Sequence, residues 1–254
     1  FLEKAKIPTL YRVHPAPEDD KIIALRQFLG EFGLTLGGGK KPSPKEFQTT
    51  LTSVGDRPER HLIETVMLRS LKQAQYIEAN GGHFGLAYPA YTHFTSPIRR
   101  YPDLLIHRAV GHLLDCKSSP EGFSYDDKEM SRLGQHCSKT ERRADEATRD
   151  VVTWLKCEYM RDKLGQIFQG KIAGVTGFGL FVELNEIYVE GLVHVTSLKN
   201  DYYSFDAVKH RLNGERTGHS YRLGDPMTVL VARVDLDERK IDFEPILDQP
   251  QQDE

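Results

Sequence analysis

From the start of the chain to about residue 164, apolar positions recur with the 3.6-residue period of a helix rather than the alternation of a strand. Ile22, Leu25, Phe28, Leu29 and Phe32 follow Asp19-Asp20 and stop at Gly33, which predicts a short helix with one buried face. Ser43-Pro44-Lys45-Glu46 supplies a capping hydroxyl, a first-turn proline and a glutamate that reaches back, so it marks a second helix start. Leu62, Ile63, Val66, Met67, Ser70, Leu71 and Ala74 form a stripe that predicts a helix over 58–79, ended by Asn80-Gly81-Gly82. A further helix is expected to run to about Leu114. The longest is expected over 127–164, with Ala144, Ala147, Val151, Leu155 and Tyr159 facing a core.

The period changes at Gly165. Segments 166–176, 179–184, 190–195, 227–234 and 240–243 are short, rich in β-branched and aromatic residues, and separated by Gly, Asp and Asn. Five strands in about 80 residues predict a small antiparallel barrel, closed or nearly closed. The expected fold class is therefore α+β in two domains: a mostly helical part over 1–164, then a five-stranded barrel over 165–246. The acidic tail 247–254 is expected to be disordered.

Composition narrows the function classes. No apolar run approaches the length of a membrane span, and no basic, then apolar, then small-residue start marks a signal peptide. Cys116, Cys137 and Cys157 are too few and too far apart for a disulfide framework or a zinc knuckle, so reduced thiols in a cytoplasmic protein are expected. The formal charge of −3 argues against a simple polybasic binder, but 242–254 holds five acids and no base. Between 199 and 222, five bases and His210 and His219 stand against three acids. Gly37-Gly38-Gly39-Lys40 is not a phosphate loop, because Leu34 stands where the first glycine belongs and Lys41 follows instead of Ser or Thr. His107 and His112 do not share a helix face, so zinc is not expected. The opening at Phe1 suggests an excised piece of a longer polypeptide.

Two segments carry candidate chemistry. In 174–184, Leu180, Val182 and Leu184 share the face expected inside the barrel, so Phe181 points outward and Phe178 sits in the turn before it. Two aromatics on an open barrel face suit base stacking, worth about 1–3 kcal/mol per base; packing beneath a neighbouring domain explains them equally well. In 91–103, Ser96-Pro97 reads as a short helix start with outward N–H groups, with Arg99 and Arg100 in its first turn. Hydroxyls of Thr95 and Ser96 and a forked guanidinium would form a phosphate site. The competing reading is a structural pair with Asp103.

The barrel segments Gly170-Lys171-Ile172, 177–182, 191–198, 221–225 and 234–241 resemble, in order, the motifs of the S-one type RNA-binding domain, an OB-fold barrel. That resemblance implies RNA contacts at Phe178, Phe181, His194, Asp235 and Arg239. The stretch 201–220 is longer than the usual connection and reads as an extra hairpin, either touching RNA or clipping the barrel rim. Residues 91–108, with 10–14, Tyr88 and Glu141-Arg142-Arg143-Ala144, resemble the RNB (ribonuclease II-like) exoribonucleases. The order of the two modules agrees.

The resemblance implies 3′-to-5′ processive hydrolysis of single-stranded RNA to nucleoside 5′-monophosphates, with two Mg2+ ions. Arg99 would contact the scissile-end phosphate as the catalytic residue, and Thr95, Ser96 and Arg100 would bind RNA. The helix glutamate that assists in some relatives aligns with Thr148, so no role is carried over, and Glu146 lies nearby. The family's aspartate cluster is also missing. Asp19-Asp20 and Asp126-Asp127 are isolated pairs at helix starts, where capping and the helix dipole account for them. Residues 235–238 belong to the last barrel turn, so no metal ligand is assigned. The chain is therefore expected to be the C-terminal part of an RNB domain plus the barrel, binding RNA but inactive without its N-terminal half. Further partners implied are the ribosome or trans-translation factors, and no membrane. The alternatives are a non-catalytic RNA-binding or translation-associated protein, and a docking piece whose aromatics contact protein.

Overall fold

A computed structural model of the chain describes residues 1–57, 59–115, 119, 121–198 and 201–246. Cys116, Lys199 and the expected disordered tail lie outside the described residues. The chain divides into two compact units: Phe1–Gly55 with Glu64–Glu146, and Asp56–Ile63 with the chain from Ala147 onward.

The first unit is mostly helical. In chain order it begins with α1 (Leu2–Ala5), β1 (Tyr11–Val13), α2 (Asp19–Gly30) and α3 (Pro44–Val54). Next come α4 (Arg60–Arg69), β2 (Gln75–Ile77), α5 (Tyr101–Asp115) and α6 (Asp127–Arg161), and both α4 and α6 run across the division. Helix α2 buries Ile22, Leu25, Phe28 and Leu29 as its period requires. At α3 the capping box forms: the Ser43 backbone N–H and hydroxyl both donate to the Glu46 carboxylate, which holds its pKa below the usual range.

The helix expected over 58–79 stops at Arg69. Gln75-Tyr76-Ile77 is instead a strand, paired antiparallel with β1 through Tyr11↔Ile77 and Val13↔Gln75. The Tyr76 N–H also donates to Ser138 Oγ at 2.9 Å, and its side chain joins Leu10, Leu105, Met130, Leu133 and Cys137 in the core. A strand pair between residues more than sixty apart overrides the local helical period. The stripe expected to face a core on α6 is likewise corrected. Ala144, Ala147, Val151, Leu155 and Tyr159 are exposed, Val151 by 58% and Tyr159 by 53%. Met130, Leu133 and Cys137 bury the first turns of α6, and Cys157 and Met160 its last.

The second unit holds β3 (Ile167–Thr176), β4 (Gly179–Leu184), β5 (Glu190–His194), β6 (Tyr203–Asp206), β7 (Arg211–Gly214), β8 (Ser220–Arg222), β9 (Pro226–Asp235) and β10 (Lys240–Pro245). The five expected strands close into a barrel in the order β10-β5-β4-β3-β9. Every junction is antiparallel except β10 with β5, which pairs parallel at Asp242↔Leu192 and Phe243↔Val193. Leu180, Val182 and Leu184 are buried, and so are Ile172, Val193, Val229, Val231 and Phe243. Closure demands small residues where walls meet: a Cβ on Gly191 would lie 2.6 Å from the Phe243 ring, and one on Gly179 2.3 Å from the Val193 carbonyl oxygen.

The 201–220 stretch is a three-stranded sheet, β6-β7-β8, rather than a lone hairpin. Asp201 closes its loop by accepting the N–H groups of Tyr202, Arg216 and Thr217 and the Thr217 hydroxyl, which holds its carboxyl well below the ordinary range.

Gly191→Ala is expected to destabilise the barrel by about 1–3 kcal/mol, the usual cost of overpacking. Denaturant unfolding of the purified chain measures it, and an unchanged midpoint would contradict the tight wall-to-ring packing.

Candidate functional site

The segment between Tyr91 and Arg100 has no helical or strand ladder of its own, yet it is braced along its length. Arg12 N–H donates to the Tyr91 carbonyl at 2.8 Å and the Thr92 hydroxyl to the Leu10 carbonyl at 2.7 Å. Phe94 stacks on His107 of α5 at 4.3 Å with the rings 7° apart, and His107 Nε2 bonds the Phe94 carbonyl at 2.9 Å. Arg12 lies on β1 and His107 on α5, so two of these ties anchor the loop to regular elements.

Asp103 ties off the far end. It is 0% exposed, and its Oδ1 accepts the Ser96 N–H at 2.7 Å and Arg100 Nη2 at 2.8 Å. The expected helix start at Ser96 is therefore replaced by a turn over Pro97–Arg99, and α5 begins at Tyr101. The Ser96 N–H faces the carboxylate and is not open to an anion. The two arginines divide: Arg100 is half-buried and paired, as the structural reading held. Arg99 is exposed: its backbone N–H donates to the Ser96 carbonyl at 3.2 Å, but among the described residues its guanidinium has no hydrogen-bond or ion-pair partner. Thr95 and Ile98 are exposed beside it.

Behind the loop lies a network that no spacing in the sequence signalled. Arg12 Nη1 pairs with Glu141 Oε2 at 2.6 Å and its guanidinium lies 4.6 Å from the Tyr76 ring centroid. Tyr76 OH meets His93 Nδ1 at 2.8 Å. Burial, then the Glu141 charge, pushes the Tyr76 pKa up to about 12. Burial, with Arg100 and Arg12 nearby, pushes that of His93 down. Tyrosine thus keeps its proton and imidazole stays neutral, and the two share one hydrogen bond whose direction follows the His93 tautomer. His83, also lowered by burial and by His14, packs edge-on against Tyr91.

On the barrel, Phe178 and Phe181 meet edge to face at 5.9 Å and line one cleft of about 620 Å³ with Leu192 and Arg239. Phe178 is half exposed. His194 opens onto an adjoining cleft that shares Leu192 and Asp242 with the first. Its Nδ1 accepts the Thr196 N–H at 3.3 Å and lies 2.7 Å from the Thr196 hydroxyl, which leaves Nε2–H as the ring's donor. Asp235, expected at the RNA face, is engaged in its own turn: Oδ1 accepts the Glu238 N–H at 2.9 Å and Oδ2 pairs with Arg233 at 2.6 Å. The turn holds Arg239 at φ 54°, a left-handed conformation uncommon for a side-chain-bearing residue.

No three His, Cys, Asp or Glu side chains converge on a possible metal position among the described residues. The donor set present does not fit a Mg2+ site. Among the same residues no helix is long and apolar enough to cross a membrane.

The model of the RNB domain matches residues 1–115, and that of the S1 RNA binding domain matches 161–244. The chain is 54% identical over 250 residues to Ribonuclease R of Escherichia coli, covering 96% of itself and 31% of that protein. It thus spans about a third of the length of such relatives. It is similar to the apo form of Mycoplasma genitalium RNase R, with a TM-score of 0.81, 29% identity, and coverage of 96% of this chain and 39% of the other. The same enzyme in complex with ribose methylated single-stranded RNA matches with the same TM-score and identity.

Asp103→Ala is expected to cost about 3–5 kcal/mol, because it strands a half-buried Arg100, whereas Arg99→Ala changes stability by no more than about 0.5 kcal/mol. Equal effects in denaturant titrations would contradict the division of roles. Stability is also expected to fall as the pH drops through 6.5, the ordinary histidine value. The unfolded chain takes up protons there while His93 resists them. His93→Gln should flatten that slope, and an unchanged slope would show that His93 does not contribute.

Proposed function

The chain belongs to the RNB family, with an S1 RNA binding domain after its RNB segment, and from that premise we propose that it is the C-terminal part of a 3′-to-5′ exoribonuclease. The full enzyme would degrade single-stranded RNA processively to nucleoside 5′-monophosphates. One observation carries the reading: a braced loop displays the Arg99 guanidinium, unpaired among the described residues, while that of the adjacent Arg100 is consumed by Asp103. A protein that only binds RNA has no need of a loop so firmly braced around one free guanidinium.

Arg99 offers forked donors to the phosphodiester at the 3′ end, and its fixed charge offsets the negative charge that grows on the phosphoryl oxygens in the transition state. Thr95 adds a hydroxyl beside it. Ser96 and Arg100 act through Asp103, holding the turn. On the barrel, Phe178 and Phe181 stack bases, His194 donates from Nε2 and Arg239 meets the backbone, while Asp235 braces the turn that carries Arg239.

The described residues form no metal site, so the divalent-ion chemistry is assigned to the part of the parent that this chain does not span. The exposed stripe on α6 supports that reading, since Val151, Leu155 and Tyr159 leave a face for the remainder of the enzyme to cover. The lack of converging acids among the described residues also favours a second reading, a non-catalytic RNA-binding or translation-associated protein; Arg99 speaks against it. A cytoplasmic setting, with the buried thiols of Cys137 and Cys157 free, accords with RNA turnover. The ribosome and trans-translation factors rest on the resemblance alone, and no residue here is assigned to them.

Poly(A) binding by the chain should weaken linearly in log affinity against log salt; no binding at low salt would overturn the RNA reading. The chain alone should release no nucleotides. In the complete enzyme, Arg99→Ala should cut turnover by about 100- to 1000-fold, the range for losing one transition-state donor, with RNA affinity nearly retained. Undiminished turnover would remove Arg99 from the chemistry.

A further inference from the structure

Arg239 Nη1 lies 2.8 Å from the Asp150 carboxylate, so the cation that opens onto the aromatic cleft is already occupied by an anion. Asp150 belongs to α6, and Thr153 and Cys157, three and seven residues further along the same helix face, line that cleft. Asp150 and Arg239 both lie in the second unit. The other cleft cations are engaged differently: Lys156 Nζ donates to the Tyr188 carbonyl at 2.5 Å and Lys240 pairs with Glu238 at 2.7 Å. Among these described cations, Arg239 alone is held by an acid from a distant element.

We propose that Asp150 is a resident competitor for RNA phosphate, its carboxylate holding the Arg239 guanidinium until a phosphodiester takes its place. The inference rests on the RNA-binding reading of the barrel and adds a specific exchange to it. The chemistry is symmetrical, because a phosphate offers the guanidinium the same paired oxygens as a carboxylate. The pair is also easy to open. Its side chains are 44% and 62% exposed, and such surface pairs contribute little. The turn braced by Asp235 fixes the backbone at Arg239, so on opening its guanidinium remains within reach of the cleft that Phe178 and Phe181 line. A base stacked on those rings would bring its phosphate to the position that Asp150 vacates.

The experiment is a double-substitution cycle on the chain, read by fluorescence anisotropy with a labelled oligo(A) single strand. Asp150→Asn should bind more tightly, by about two- to fivefold at low salt, with the gain fading as salt screens the pair. Arg239→Gln should bind more weakly. Asp150→Asn added to Arg239→Gln should bring no gain, because the competitor has nothing left to hold. No gain from Asp150→Asn alone, or an equal gain in both backgrounds, would overturn the exchange; the latter would show a general effect of removing negative charge. If the unaltered chain binds no RNA, the RNA reading of the barrel fails and the exchange fails with it. Unchanged unfolding midpoints for all three variants confirm that the readout is binding.

Discussion

The carboxylate of Asp103 lies fully out of water, where an ion is tolerated only with partners. Its partners are the Ser96 N–H and Arg100, and satisfying them dictates the course of the chain between. Ser96 and Arg100 are drawn to one oxygen, so the residues between them must turn back on themselves. The turn over Pro97–Arg99 results, and it leaves Ile98 and Arg99 on the outside. Neighbouring arginines thus acquire opposite roles from one buried acid: one completes a pair, the other keeps its charge available.

The barrel repeats that logic with different parts. Asp235 spends its carboxylate on the Glu238 N–H and on Arg233, which sets the β9–β10 turn and fixes where Arg239 stands. Thr196 holds the His194 ring through Nδ1 and leaves the opposite nitrogen as donor. Gly179 and Gly191 allow the barrel walls to approach where any side chain would collide, so the strands beside Phe178 and Phe181 are closely packed. In both units, small polar contacts within the chain hold a cation or an aromatic ring in a defined, accessible place. Binding to such groups costs little conformational entropy, because the protein has already ordered them.

Helix α6 carries an apolar stripe that the described residues leave uncovered. Its first turns pack against Leu10, Tyr76 and Leu105, and near its end it buries Cys157 and Met160. Between them Val151, Leu155 and Tyr159 keep a helical period and meet solvent. An apolar period reports a face suited to burial and is silent on which polypeptide supplies the cover. The chain spans 31% of the length of Ribonuclease R of Escherichia coli, which leaves ample polypeptide in such a relative to supply it.

The residues themselves determined much. Alternation and glycine spacing after Gly165 specified five strands and their inward faces, because a closed barrel repeats one local rule along every strand. Caps and periods located α2, α3 and α5 within a few residues. The ordered motifs identified the family and both candidate surfaces. Tertiary structure alone decided the rest, and in each case a distant partner outweighed a local preference. Tyr76 left a helical period to pair with β1 and to meet His93. Arg99 and Arg100 were equivalent in the sequence until a buried Asp103 chose between them. Asp235 became a brace once its turn folded, and Arg239 met an acid about ninety residues earlier in the chain. Local pattern reports what each segment can bury or bond, whereas the identity of the partner depends on contacts between residues far apart in the chain.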